Sequence, residues 1–523
     1  MNRARQFFWQ AMQELGLAAK PKPHRVQRAV DLFLDRWAKY PGKPQTRFEK
    51  GGIGVVLTPW LHTAVPLYNL ECARKLAASG QAVTIIWDPA NIFDNAGDAW
   101  EVAQLERVIE KVREEFPVIS PATTGGPTGK ESDFLAELIA ENAVQRIRGE
   151  EGAAELLQGR PELVAGVRQH AQRVRALLVE RAFEWLLLPG GVWAVTGVYA
   201  GIAVELGLSM TTYDSGPGAL FIGHDGVAAH FPDVAVIADR IVDETSANPE
   251  ERSRMKAAAR RQLETRMSGL DEYRLQPVAA SAEASGPAWD ILVPLNLRWD
   301  SAALCRAKLF ANVGDWLEQL LTWAERHPTA RIAIRQHPCE KIPEFRGTDD
   351  FAKLLERHPK LAGRAIFFSA FDTVNTYDLF RTAKVVLPFT SRVGIEAAML
   401  GKPVVLGTKC YYGSCGFTWN PASAAEYFSE IDRALDGQLV VFERAQEKAW
   451  ITYYLAECCL ELRTHFTPAP PDFEKWVALP PDELWASDEN QDLLAALLSR
   501  EPLVSVRYRR QATAARETNT VSA

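Results

Sequence analysis

No stretch of this 523-residue chain stays apolar for the length a bilayer crossing needs, so no transmembrane helix is expected. Met1–Trp9 is basic but has neither the apolar core nor the cleavage site of a secretory signal. Cysteine is scarce and scattered, at Cys72, Cys305, Cys339, Cys410, Cys415, Cys458 and Cys459. Neither Cys410-x4-Cys415 nor the adjacent Cys458-Cys459 is a zinc spacing. The expectation is therefore reduced thiols in a cytoplasmic protein, with no structural metal. Basic charge is not in excess either. The 59 Lys and Arg against 66 Asp and Glu leave a net charge of −7. With a pI near 5.9, this argues against a nucleic-acid partner. A G-x-G-x-x-G fingerprint is missing after the first strand, so a nicotinamide cofactor is not indicated. No Asp-x-Asp pair is placed to hold a divalent ion, since Asp349-Asp350 lies in a polar connector. No internal repeat is present.

What is there reads as an ordinary globular chain, 47% hydrophobic and 24% charged, long enough for two or three domains. Its 15 tryptophans are many. Core packing is the expected use for most of them, although aromatics also line sugar-binding clefts. Residues 1–50 read as an amphipathic helical extension of two helices. The first buried strand is Ile53–Thr58, followed by a loop, a helix Val65–Ser79 closed by Gly80, and a strand Ala82–Trp87. Glu184–Leu188, the helix Val192–Leu206 and the strand Met210–Tyr213 continue the alternation. This gives a first α/β domain over 51–240. Residues 241–288 read as a helical segment and a Ser/Ala/Gly/Pro-rich linker ending at Pro287. A second α/β domain over 289–440 begins with Asp290–Leu295 and includes the strands Ala330–Arg335 and Arg364–Phe368. Residues 441–523 read as terminal helices interrupted by Pro468–Pro471, with a polar, disordered tail from Gln511.

The stretch Val385–Leu406 says most. It reads as buried strand, polar loop, helix and buried strand, with Gly401 ending the helix. The loop Thr390-Ser-Arg-Val-Gly394 falls at the carboxyl end of the strand and the amino end of the helix. Ligands of open α/β sheets bind there, and phosphate is favoured. An unliganded βαβ crossover is the plain alternative. Arg335-Gln-His-Pro338 ends another strand of the same domain. An Arg fork can bind two phosphate oxygens, and a His followed by Pro suits a phosphate contact. Glu396, one turn into the helix, could accept from both hydroxyls of a ribose or simply complement the helix dipole. In the first domain, Asp214 ends a strand inside Thr211–Gly218 and is the first choice for deprotonating an acceptor hydroxyl, or for acting as a nucleophile. Asp225, in His224-Asp-Gly226, is the second. His62, in the first βα loop, and Arg298-Trp-Asp300 are further cleft candidates. Lys409–Thr418 suits a loop closing over a sugar or base, with Tyr411 and Tyr412 as packing residues.

Arg335–Pro338, Thr390–Pro403 and Tyr411–Thr418 together resemble the capsule polysaccharide biosynthesis family, GT-B glycosyltransferases that include Kdo transferases of bacterial capsule export. The resemblance covers about 130 residues of the second domain. It implies a GT-B fold: two Rossmann-like α/β domains facing across a cleft, with N- and C-terminal helical extensions. It also implies a metal-independent transferase with no cofactor beyond a nucleotide-sugar co-substrate. By position, His337, Pro338, Thr390 and Ser391 would bind the donor nucleotide, with Arg335, Arg392, Gly394 and Glu396 beside them. A CMP-sugar such as CMP-Kdo is favoured. Gly394–Pro403 is also similar to a ribose-binding segment of UDP- and GDP-dependent GT-B enzymes. The paired acidic motif of GT-B sialyltransferases has only Asp214-Ser-Gly216 and Asp225-Gly226 near it here. The partners implied are a nucleotide-sugar donor and a carbohydrate or glycolipid acceptor, at the inner membrane face or in an assembly complex. Two other readings stand beside this one: a CDP-alcohol-dependent polyol-phosphate transferase, and a non-catalytic nucleotide-sugar-binding partner.

Overall fold

Two separate sheets, one parallel and one parallel but for its last strand, organise the chain. The computed structural model describes residues 23–44, 50–60, 63–93, 99–123, 132–216, 219–245, 248–270, 275–278, 288–306, 309–462, 464 and 472–521. The first expected N-terminal helix, His62, the linker piece Ala279–Pro287 and Pro468–Pro471 lie outside the described residues. The chain divides into one unit of residues 1–146, 154–232 and 460–523, and a second of 147–153 and 233–459. The expected cut at 240 thus falls near the observed one at 232. The expected terminal block 441–523 is shared between the units, and most of 241–288 lies with the second sheet.

The first unit carries β1 (Ile53–Leu57), β2 (Val83–Trp87), β3 (Val118–Ile119), β4 (Trp185–Pro189), β5 (Ser209–Gly216) and β6 (Ala219–His224). Their order is β3-β2-β1-β4-β5-β6. β1 to β5 are parallel, and β6 is antiparallel to β5. Every residue of β1, β2 and β4 is buried. Strands covered on both faces need such unbroken apolar runs. The amphipathic helix Pro23–Lys39 puts Phe33 and Trp37 into this core, and its Arg36 pairs with Glu71 at 2.6 Å, both buried. The chain returns after the second unit. Leu462 bridges to Leu220, and Trp476, Leu484 and Leu497 join the same core. The helix Leu503–Val521 runs through the stretch expected as a disordered tail.

The second unit carries β7 (Ile291–Pro294), β8 (Ile332–Arg335), β9 (Ala365–Phe368) and β10 (Val385–Val386), all parallel, in the order β10-β7-β8-β9. The helix Val313–Glu325 buries Trp316, Leu317, Leu320 and Leu321 in the second core. Asn312 caps its first turn, accepting from Asp315 N–H at 2.7 Å. The helix Pro249–Met267, expected only as a helical stretch before the linker, packs against the helix Glu443–Tyr454. Val404–Leu406, expected as a full strand, makes single bridges to Val386 and Trp419. Two Rossmann-like α/β units with helical extensions are the parts expected of a GT-B chain. Among the described residues, no helix is long and apolar enough to cross a membrane.

Candidate functional site

The order β10-β7-β8-β9 reverses direction once, between β7 and β10. Such a switch point opens a crevice outside the carboxyl ends of the strands. The loop after β10 is Thr390–Gly394, and the loop after β7 carries Asn296. They touch: Thr390 N–H donates to Asn296 Oδ1 at 3.0 Å. Arg335–Pro338 ends β8, the next strand over. The two motifs singled out by sequence therefore share one sheet edge and flank the switch point.

Their side chains divide into held and open groups. Thr390 is 7% exposed, and its buried Oγ1 has no hydrogen-bond partner among the described residues. His337 is half-buried and opens the turn Pro338–Lys341, accepting from Cys339 N–H through Nδ1 at 3.2 Å. Burial, then the charges of Arg335 and Arg266, push its pKa down to about 4. At neutral pH the ring is neutral, and the engaged Nδ1 leaves its proton on Nε2 as a single donor. Ser391 Oγ accepts from Val393 N–H at 3.3 Å, and its carbonyl accepts from Tyr412 Oη at 2.6 Å. Gly394 leaves the room Tyr412 needs, since a Cβ there would lie 2.2 Å from Tyr412 Oη and 2.9 Å from Pro388 Cγ.

Other expected contacts are committed within the fold. Arg335 is 1% exposed. Its fork donates to the Ser369 and Val374 carbonyls rather than outward, bracing the loop after β9. Burial lowers its pKa. Glu396, expected at a ribose, is also 1% exposed. It accepts from Tyr377 Oη at 2.9 Å and from Arg266 at 3.3 Å, and burial raises its pKa. The helix Val393–Met399 turns this side chain inward, toward the helix bearing Arg266. Arg392 pairs with Glu457 at 2.7 Å. Lys402 Nζ donates to the Arg381 and Ala383 carbonyls at 3.1 and 2.9 Å. Gly401, at φ +75, ends the helix as read from sequence. Arg298 is paired with Glu150, whose carboxylate also accepts from Val313 and Gly314 N–H at 3.1 and 3.2 Å. The amino end of the helix Val313–Glu325 is thus already filled by a carboxylate of the protein itself.

The first unit separates the two candidate bases. Asp214 lies half-buried on β5, one residue beyond the pairing of Tyr213 with Pro189, at the carboxyl edge of the parallel strands. Asp225 is exposed, at φ +48, and accepts from Met210 N–H at 2.9 Å. Because β6 runs antiparallel, its end returns to the amino edge, so Asp225 lies at the open end of the β5–β6 hairpin, beside the start of β5. His62 lies outside the described residues.

Sequence reasoning missed Glu457, Arg266, Tyr377 and Asn296. Glu457 sits in a π-helical turn, Leu455–Cys459, at the end of the helix Glu443–Tyr454, a distortion often found at functional sites. It gathers Arg392 at 2.7 Å and Arg266 at 3.7 Å. A signal was present, because Glu457 is the single charge in the apolar run Ile451–Leu460. A lone charge in such a run points to a buried pair.

The fold defines a Rossmann-like α/β class, with a switch-point loop pair in the second unit. Residues 248–447 match the family model described as capsule polysaccharide biosynthesis protein, so this chain resembles that family across the segment that carries the Thr390 and His337 loops. No curated protein matches it. Among solved structures, it is similar to the beta Kdo 2,4 transferase of Thermosulfurimonas dismutans KpsC at 14% identity, covering 51% of this chain and 79% of that one, with a TM-score of 0.32. The beta Kdo 2,7 transferase of the same KpsC is 17% identical, covering 53% and 79%, with a TM-score of 0.29. UDP-GlcNAc 2-epimerase from Neisseria meningitidis, bound to UDP-GlcNAc, is 10% identical over 77% of this chain and 95% of its own, with a TM-score of 0.22.

Proposed function

We propose that this protein is a glycosyltransferase of surface polysaccharide or glycoconjugate synthesis. It moves a sugar from a nucleotide-sugar donor, with a CMP-sugar such as CMP-Kdo ahead of UDP- and GDP-sugars, to a polysaccharide, glycolipid or other glycoconjugate acceptor. One observation carries the reading. The Thr390 and His337 loops flank the switch point of a parallel sheet, inside the segment matched by the capsule polysaccharide family.

In this proposal His337 Nε2–H and the Thr390 hydroxyl, with Ser391 and Arg392, which is paired with Glu457, face the donor nucleotide. Arg335, Gly394 and Glu396 hold the loops that present them. The acceptor hydroxyl attacks the anomeric carbon and gives its proton to Asp214. The bond from that carbon to the phosphate oxygen breaks, and the nucleotide leaves with the electron pair. Fixed donors are worth most at the oxygen where that charge develops. No metal is assigned a role, so EDTA-treated protein should transfer at the untreated rate. The decisive variant is His337→Ala, assayed for transfer with nucleotide-sugar donors. Full retained activity would remove the His-Pro loop from the reaction and sink the donor-site reading.

A further inference from the structure

The sheet of the first unit has a switch point of its own. β1 leads to β2 and β3 on one side, and β4 leads to β5 and β6 on the other, so the crevice opens beyond β1 and β4. The loop after β1 carries Trp60 and the loop after β4 carries Trp193. Both are half-buried, unlike the strand residues beneath them. Their ring centroids are 6.4 Å apart and their planes 30° apart. That is within contact range for an aromatic pair, so nothing enters between them, and together they present one apolar floor.

The floor is held from below. Trp60 N–H donates to Glu101 Oε1 at 3.1 Å, from a residue that is 1% exposed. The Trp60 carbonyl accepts from Thr63 N–H at 3.0 Å and from Thr63 Oγ1 at 2.7 Å. Gly190, at φ +66, lies against the ring, where a Cβ would come within 2.8 Å of Trp60 Cη2. A side chain at that position would displace the indole. At the end of β1, the buried Thr58 hydroxyl has no partner among the described residues. Asp214 stands on the same edge of the same sheet, with β4 between β5 and β1.

Trp60 packs partly against the core beneath it, yet both indoles stay half in water, with Trp60 placed by Glu101 at its backbone and Gly190 at its ring. We infer that Trp60 and Trp193 form a stacking subsite for a sugar ring of the acceptor, the C–H face of a pyranose lying over the indoles. This deepens the glycosyltransferase reading and rests on it. Large apolar faces with a few fixed polar groups are what carbohydrate recognition requires.

The test uses full-length Trp60→Leu and Trp193→Leu, which keep apolar bulk and remove the aromatic face. Acceptor and donor concentrations are varied separately. The acceptor KM should rise about tenfold in each variant, the loss of roughly one aromatic contact, with the donor KM within about twofold of wild type. An unchanged acceptor KM in both variants, or a donor KM rising in step, would overturn the subsite. If the wild type transfers from no nucleotide sugar, the function reading fails separately. The floor is then judged on a printed array of bacterial oligosaccharides. Binding by wild type that is lost in both folded variants supports it, and equal or absent binding overturns it.

Discussion

Glu340 should make the His337 loop pH-sensitive. Its side chain is 7% exposed, in the turn directly after His337-Pro338. Its Oε2 accepts from Gln336 Nε2 at 2.8 Å and Gly347 N–H at 3.3 Å. Gln336 in turn accepts from Ala370 N–H at 2.8 Å, so the carboxyl is tied to the loops after both β8 and β9. Burial pushes its pKa from the ordinary 4.5 up to about 7. A carboxyl with a raised folded pKa stabilises the fold while both states are protonated, below about pH 4.5. That stability is lost as pH rises through about 7. The displacement is worth on the order of 3 kcal/mol. Glu340→Gln keeps an acceptor in the same place and removes the ionisation. Urea unfolding of wild type and variant from pH 5 to pH 8.5 isolates the effect in their difference. The variant should lie within about 1 kcal/mol of wild type near pH 5 and be about 3 kcal/mol more stable at pH 8.5. A difference that stays constant across that range would refute the buried-carboxyl reasoning.

Other perturbations follow from the same loops. Gly394→Ala should cost about 2–4 kcal/mol, because the new methyl pushes the buried Tyr412 off the Ser391 carbonyl. A shift below about 0.5 kcal/mol in urea unfolding would mean the loop has slack. Glu457→Gln, nearly isosteric, should cost about 1–3 kcal/mol by weakening the bonds to Arg392 and Arg266. Guanidinium unfolding of Glu457→Gln alongside Arg392→Gln and the double variant would show coupling if the pair acts as a unit, and simple additivity if it does not.

Much of the fold was legible because its strands are unbroken β-branched and aliphatic runs. Ile53–Leu57, Val83–Trp87 and Ile291–Pro294 are buried throughout, and that pattern has few other uses. The switch-point loops were legible for the same reason, since each ends such a run. What escaped depends on contacts distant in sequence. Glu396 reads as a free carboxylate until Arg266, from a segment read as a helix leading into a linker, is brought against it. Glu150 caps the helix Val313–Glu325 from a seven-residue piece, Ile147–Ala153, that crosses over from the first unit's stretch of chain. No local pattern announces that contact. Asp225 was misplaced because the hairpin partner Ala219–His224 was not read as a strand, and one antiparallel strand reverses the edge on which its end falls. The tail from Gln511 is polar, which reads as disorder, yet its Ala, Arg and Glu content favours helix.

The central claim is that the Thr390 and His337 loops hold a nucleotide. It is met most directly by thermal unfolding of wild type and Thr390→Val with CMP, CDP, UDP and GDP. The Thr390 hydroxyl is buried without a partner among the described residues, so the valine variant alone should unfold at or slightly above the wild-type midpoint. At a hundred times its dissociation constant, one of the four nucleotides should add about 2.7 kcal/mol to wild type, and clearly less to Thr390→Val at the same concentration. No shift with any nucleotide, or equal shifts in both proteins, would contradict the account.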